Sequence, residues 1–387
     1  MKRQSDIVTA MPPSEIRKIF NAANQMTDVM HLEIGDPDFA TPPHVIEAAH
    51  RAARDGFTHY TGTSGIPEVR EAIAEKFQRD NGIVADPGNC MMTVGAVGAL
   101  LCACMATLNP GDEVIVTDPY WSNYSGQIAI AGGKIVSVPL RESLGFAPDL
   151  EELESKITPR TRMILYNTPN NPSGSVLPKD VLMGIGEIAL KHDLIVLADE
   201  VYEKIIYDGN THFSLASIPE YRDHVITVNS CSKTYAMTGW RAGLATGPAE
   251  LIAGMTKVQE ANSSCVSAVV QKAALAALTG PQDCVKEMVE VYTRRRDMIL
   301  QRLAEIPGLA TVRPGGAFYV FPNVQAYGMS SFDFTMRLLR EARVALVHGA
   351  GFGEYGEGHV RISFSVADEV IAEALRRLAV FVEGLKQ

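Results

Sequence analysis

The chain has 387 residues, 46% of them apolar, and a formal net charge of −10. That length can bury a large core and predicts two domains, or one domain with a satellite. The negative balance excludes a nucleic-acid surface, which needs a basic stripe, and a polybasic membrane anchor. The opening MKRQSDIV is too polar for a signal peptide, and the longest near-apolar run, 94–108, is short for a bilayer span. Six cysteines occur without CxxC or metal-ligand spacing, and HExxH is absent. A cytoplasmic protein with reduced, structural cysteines and no metal site is therefore expected.

From the N-terminus, 42–55 and 67–80 read as helices, opened by prolines and closed at Gly56 and at Asn81-Gly82. An apolar helix near 98–107 leads to the turn Asn109-Pro110-Gly111. Strand-like runs follow at EVIVTD (113–118), RMILYN (162–167), LIVLAD (194–199), VITVNS (225–230) and RAGLATG (241–247), with a helical pattern at 178–192. Strands that are hydrophobic throughout and separated by helices predict an α/β fold, a mostly parallel sheet sandwiched by helices. Ligands bind at the carboxyl ends of such strands, and those ends carry Asp118, Asn167, Asp199 and Ser230. An Ala-rich helix at 267–278 stops at Gly280-Pro281, a candidate domain boundary. A charged helix (283–305), a strand at GAFYVF (316–321) and a terminal helix then suggest a smaller α+β domain.

Two residues carry the chemistry. Lys233 follows a buried strand among small hydroxyl residues, with no carboxylate close in sequence to pair with. A dry pocket suits it, because desolvation lowers an amine's pKa toward the neutral nucleophile that Schiff-base chemistry needs. Asp199 ends an apolar run, where an ionised carboxylate is costly unless something positive meets it. On spacing alone it also fits a helix N-cap. Read with Lys233, it suggests a carboxylate that keeps a pyridine nitrogen protonated while the lysine holds the aldehyde of pyridoxal phosphate. Gly95-Ala96-Val97 opens the apolar helix with small residues whose amides suit a phosphate, and Ser230, Ser232 and Arg241 flank the lysine as further anion partners. In HVRISF, alternation turns Arg361 away from the face of Val360, Ile362 and Phe364. Its fork fits a carboxylate bidentately, although the motif taken alone favours an edge-strand arginine in solvent.

The segment SCSKTYAMTGWRAG resembles the lysine signature of the class I aminotransferases, pyridoxal-phosphate enzymes of fold type I. So do LEIGDPDF (32–39), HYTGTSGIPEVREAI (59–73), TVGAVGAL (93–100), NPGDEVIVTDPYW (109–121), NTPNNPSG (167–174), ADEVY (198–202) and HVRISFS (359–365), in the same order along nearly the whole chain. The resemblance implies that Lys233 is the Schiff-base lysine and the base for the substrate α-proton. Asp199 is then the pyridinium partner, and Tyr202 and Asn171 bind the cofactor O3′. Trp121 stacks on the ring, with plain core filling as its alternative. Gly95, Ala96, Val97, Ser230, Ser232 and Arg241 hold the phosphate, and Tyr60 reaches the phosphate of a neighbouring subunit in a homodimer. Gly35, Asn171 and Arg361 face the substrate. The implied division is an N-terminal segment 1–45 serving the small domain and the dimer contact, a large domain 46–280, and a small domain 281–387.

Val97 departs from one aspartate-specific branch of the family, which carries a lysine there to bind the second carboxylate. Neutral or apolar amino donors, with 2-oxoglutarate or pyruvate as acceptors, are therefore expected. Ser230 to Lys233 also spells SxxK, but the SDN and KTG elements of penicillin-binding hydrolases are missing. A carbon-sulfur lyase uses the same lysine and arginine. A non-enzymatic regulator of this fold needs a DNA-binding domain for which there is no spare length.

Overall fold

The computed structural model describes residues 4–11 and 14–385; residues 1–3, 12 and 13 of the N-terminal segment and 386–387 at the other end lie outside them. Seven strands make the central sheet: β1 (Cys90–Val94), β2 (Glu113–Asp118), β3 (Lys134–Pro139), β4 (Thr161–Asn167), β5 (Ile195–Asp199), β6 (Val225–Ser230) and β7 (Ala242–Thr246). Their order is β1-β7-β6-β5-β4-β2-β3. The neighbours from β6 across to β3 run parallel, and β7 is antiparallel to both β1 and β6. The sheet is thus mostly parallel, as the unbroken apolar runs predict: β2, β5 and β6 hide nearly every side chain, as strands covered on both faces must.

Register does the positioning. Asn167 at the end of β4 lies beside Asp199 of β5, and Asp199 beside Val228 of β6, while Ser230 lies beside Gly243 of β7. The strand-end polar residues therefore share one edge of the sheet. Helix Gly95–Thr107 begins at that edge, directly after β1.

A second core, separate from those against the sheet, gathers Leu32, the 201–207 segment and apolar side chains from Met288 to Val382. Its small sheet has the order β9-β10-β8, with β8 Tyr319–Val320, β9 Val347–His348 and β10 Val360–Ser363, all antiparallel. Helices Asp283–Ala304, Ser331–Ala342 and Asp368–Gly384 accompany it. The N-terminal helix Glu15–Ala23 packs Ile19 and Ala23 on Leu339 and Ala345.

The structure departs from expectation at three strands. β1, CMMTV, has few β-branched residues, and β3 is a partly exposed edge strand, so neither carries a strong strand signal. In GAFYVF only Tyr319 and Val320 are strand: Ala317 sits at φ +55°, and Gly316 and Ala317 donate to Gly174 and Ile205 instead of extending a ladder. Among the described residues, no helix is long and apolar enough to cross a membrane.

Candidate active site

Between the edge of the large sheet and the second core lies a cavity of about 520 Å³, within the usual range for a small-molecule site. Lys233, Asp199, Tyr202, Asn171, Trp121, Ser230, Ser232, Arg241, Gly35 and Arg361 line it, as do Ala96 and Val97. Gly95 stands just behind them, and only Tyr60 lies elsewhere, 88% exposed on the surface.

Lys233 sits in the four-residue helix Cys231–Thr234, which Ser230 caps by accepting from the Ser232 amide. The turn delivers the ammonium into the cavity, where Nζ donates to the Gly35 carbonyl at 2.6 Å and lies 5.6 Å from the Phe318 ring centre. Burial brings its pKa down to about 8; Asp36 works against this, and Arg361 and Arg241 add to it. Gly35 lines the cavity and also has no room for a side chain. A Cβ there would lie 1.9 Å from the Tyr319 hydroxyl, so the collision is with this side chain.

Asp199 is buried, and its partners are neutral: the Tyr124 hydroxyl donates to Oδ2 at 2.5 Å and the Val201 amide to Oδ1 at 3.3 Å. Burial raises its pKa to about 6, against the pull of the Tyr124 hydrogen bond. Asn167 braces the same corner, donating to the Asp199 carbonyl and accepting from the Asn171 amide. Trp121 meets Tyr124 edge-on at 5.7 Å. Tyr202 shares a 2.9 Å hydrogen bond with Tyr319.

At the start of helix Gly95–Thr107 the cavity is built around Arg241, itself at φ +58°. Gly95, at φ +70°, has no room for a side chain, since a Cβ would lie 2.3 Å from Arg241 Nη2. The Gly95 amide donates to the Arg241 carbonyl, so that amide is already used. The donors left here are those of Ala96 and Val97, at the positive end of a 13-residue helix.

Arg361 is 1% exposed. Its guanidinium lies between the rings of Tyr319 and Phe352, at 4.5 and 4.8 Å, and donates from Nη1 to Asn171 Oδ1 and from Nη2 to the Glu33 carbonyl. Its Nε is buried with no partner among the described residues. The exposed edge-strand alternative for Arg361 is thereby ruled out.

Sequence reasoning missed Tyr124, Tyr319, Phe352 and Arg17, which lie far along the chain from the motifs they meet. Asn167 was marked by the strand-end rule. The same rule pointed to Asp118, whose carboxylate instead accepts from Ser137 and from the amides of Glu354 and Tyr355, tying the two parts of the chain together.

Directly behind Asp199, on the other side of the backbone, Glu200, Glu203 and His212 come together with ligand atoms close enough to hold a metal ion. Lys76 occupies that role: its ammonium contacts Glu203 and donates to Asn81 Oδ1 at 2.7 Å. Asn81 and Ser214 bond both glutamates or one of them, and His212 meets Glu200 at 2.9 Å. Burial disfavours the charged imidazole, but the carboxylates outweigh it and hold the His212 pKa above its ordinary value.

A seven-stranded, mostly parallel sheet with a lysine beyond one strand and a buried aspartate at the end of the next defines a pyridoxal-phosphate enzyme of fold type I. Residues 27–378 match the aminotransferase class I and II family, and the chain belongs to it. An aspartate aminotransferase of Pyrococcus abyssi is 45% identical over 97% of both chains. Aromatic-amino-acid aminotransferase 2 of Thermococcus litoralis is 43% identical over the same shares. The solved aspartate aminotransferase of Thermus thermophilus with maleate superposes with a TM-score of 0.94 at 42% identity, covering 98% of this chain and all of that one. The protein is a pyridoxal-phosphate-dependent aminotransferase. The site fits its cofactor: a buried carboxylate with only neutral partners suits a protonated ring nitrogen, and the Gly95–Arg241 cradle suits a phosphate.

Proposed function

We propose that this single cavity carries the amino group of an L-amino acid to a 2-oxo acid, the two substrates occupying it in turn. The observation that carries this is Arg361: a buried guanidinium, stacked between two rings, with an unpartnered Nε, in the same cavity as Lys233. A buried cation with only neutral partners is costly, and a carboxylate common to every amino and oxo acid relieves that cost.

Pyridoxal phosphate supplies an electrophilic aldehyde carbon and a ring that takes up the electron pair released at the substrate α-carbon. The chain does the rest. Lys233 Nζ would hold the aldehyde carbon and, once released, is the amine placed to take the proton from the substrate α-carbon and return it; with a pKa of about 8 for the free amine, roughly a tenth of it is neutral at pH 7. Asp199, oriented by Tyr124, would pair with the ring nitrogen and keep it protonated. Tyr202 and Asn171 Nδ2 would donate to the ring oxygen, Asn171 Oδ1 being taken by Arg361. Trp121 would cover the ring, and Ser230, Ser232, Arg241 and the amides of Ala96 and Val97 would hold the phosphate.

Ile16, Phe20, Ile34 and Val97 give part of the cavity an apolar wall. This supports neutral or apolar donors, aromatic ones among them, in keeping with the Thermococcus relative's name. The Pyrococcus and Thermus relatives' names add aspartate as a second reading. Arg361→Ala should lower kcat/KM roughly 10- to 100-fold for every donor alike, the value of a charge-assisted hydrogen bond. Loss confined to one donor would overturn its role as the shared-carboxylate anchor.

Three further readings belong with this one. The exposed aromatic ring of Tyr60 supports its reaching a neighbouring subunit in a homodimer; an active monomer by sedimentation would rule that out. Six free cysteines, four of them buried, support the reducing cytoplasm, which cell fractionation checks. The cores support a large domain at 46–280 and a small one at 281–387, with 1–45 joined to the latter. Limited proteolysis that leaves no stable fragment ending near 280 would count against that division.

A further inference from the structure

The two rings that enclose the Arg361 guanidinium are held by different parts of the molecule. Tyr319 belongs to β8, which is hydrogen-bonded to β10, the strand of Arg361 itself. Phe352 lies outside the strands, in the short turn Gly349–Phe352 that follows β9. What fixes that turn comes from the end of β2 in the large sheet. The Tyr120 amide donates to the Phe352 carbonyl at 2.7 Å. Asp118 accepts from the Glu354 amide at Oδ2 and from the Tyr355 amide at Oδ1, each at 3.2 Å, while Ser137 of β3 donates to Oδ2 at 2.9 Å. Between them stands Gly353, at φ +118°, where a Cβ would collide with the Asp118 carboxylate. Phe352 is fully buried, and Leu140, Phe146, Phe321 and Val347 share its small core. Burial raises the Asp118 pKa to about 6 against the pull of Ser137 and the two amides, so the group is ionised at pH 8.

We propose that Asp118 is a positioning residue for the carboxylate anchor: from the end of β2 it fixes the 352–355 turn, and through it the ring that Phe352 lays on Arg361. The proposal rests on Arg361 binding the carboxylate that all substrates share. Asp118 is not part of the cavity lining, so its effect reaches the substrate only through Arg361. Rings on both sides hold the guanidinium in one plane, and a planar fork held ready loses less freedom when it pairs with a carboxylate. A carboxylate suits the task because each oxygen takes one amide. An asparagine would turn its own NH₂ toward one of those N–H groups.

The test uses the holoenzyme at pH 8 and the variants Asp118→Ala, Asp118→Asn, Phe352→Leu and Asp118→Ala with Phe352→Leu. Affinity for 3-phenylpropionate, a monocarboxylate, is read by spectral titration, and KM and kcat are measured with L-alanine and L-phenylalanine. Asp118→Ala and Phe352→Leu should each weaken 3-phenylpropionate roughly 3- to 30-fold, the worth of a desolvated cation–π contact. KM for both donors should rise with it while kcat changes by less than about twofold, as for binding shared by ground and transition states. Asp118→Asn, which keeps one acceptor, should fall between wild type and Asp118→Ala, and it carries the test if the alanine variant does not fold. The double variant should be no weaker than the weaker single one. A variant that unfolds earlier yet binds 3-phenylpropionate as wild type does would make Asp118 a plain brace of the turn and overturn the proposal. So would an Asp118→Ala loss that persists in full when residue 352 is already leucine, or unchanged affinity in Phe352→Leu. The Arg361 reading fails separately, if Arg361→Ala spares 3-phenylpropionate.

Discussion

Asp199 and Glu200 are neighbours in sequence, both are buried carboxylates, and they live in opposite surroundings. Glu200 faces Asn81, Ser214 and His212 within a cluster that also holds Glu203 and the ammonium of Lys76. Charge there is answered inside the protein. Asp199 faces the cavity with a tyrosine hydroxyl and an amide for company, and Arg361 and Lys233 share the same cavity with carbonyl and amide oxygens as partners. The two regions lie one residue apart. A buried charge whose neighbours neutralise it belongs to the fold, while one left to neutral dipoles is held ready for a ligand.

That comparison breaks or holds on three variants. The largest effect is expected at Lys233→Ala, where loss of the proton-transferring amine should lower kcat roughly 10²- to 10⁴-fold from that step alone. The apoprotein should nonetheless be at least as stable as wild type in thermal unfolding, because a disfavoured buried ammonium has been removed. A clear drop in stability would place Lys233 with the structural cluster. Next comes Lys76→Met, which leaves Glu203 without its ammonium partner in a cluster that also holds Glu200. A loss of about 3 to 5 kcal/mol in denaturant unfolding is expected, with kcat per folded molecule nearly unchanged. A functional defect without destabilisation would erase the distinction between the regions.

The smallest effect is expected at Asp199→Asn in the apoprotein, and its sign depends on pH. The Asp199 pKa is raised from 3.8 to about 6, so the folded state binds the extra proton and wild-type stability falls as pH rises through that interval. At pH 7 the penalty is fully present, and asparagine, which still accepts from Tyr124, removes it. The variant should gain roughly 1 to 3 kcal/mol at pH 7, and the gain should fade as pH is lowered from 6 toward 4. Chemical denaturation across that range reads it out; a variant that is less stable at pH 7 would show that the carboxylate is already compensated.

Much of this was legible in the sequence. Lys233 and Asp199 stand at the ends of apolar runs, and the parallel sheet follows from those runs, so the strand-end rule found Asn167, Asp199 and Ser230 together. It overreached at Asp118, because it marks an edge of the sheet and says nothing about which loop covers each strand end. Arg361 was found by alternation and by the motif around it, but its burial between Tyr319 and Phe352 was not foreseeable. The Gly95 amide was expected to be a free donor, and only the fold shows the Arg241 carbonyl taking it.

The sequence by itself determined the class of fold and the cofactor chemistry, and it marked most of the residues proposed to carry that chemistry, because those depend on local signals: unbroken hydrophobic runs, turn residues and short motifs at strand ends. The tertiary structure alone decided which side chains surround them. Tyr124 meets Asp199 across 75 positions, Asn171 meets Arg361 across 190 and Gly35 meets Lys233 across 198, and Arg17 reaches the cavity from the opposite end of the chain. Such contacts are set by how the sheet and the second core pack against each other, and no periodicity within a single element encodes that.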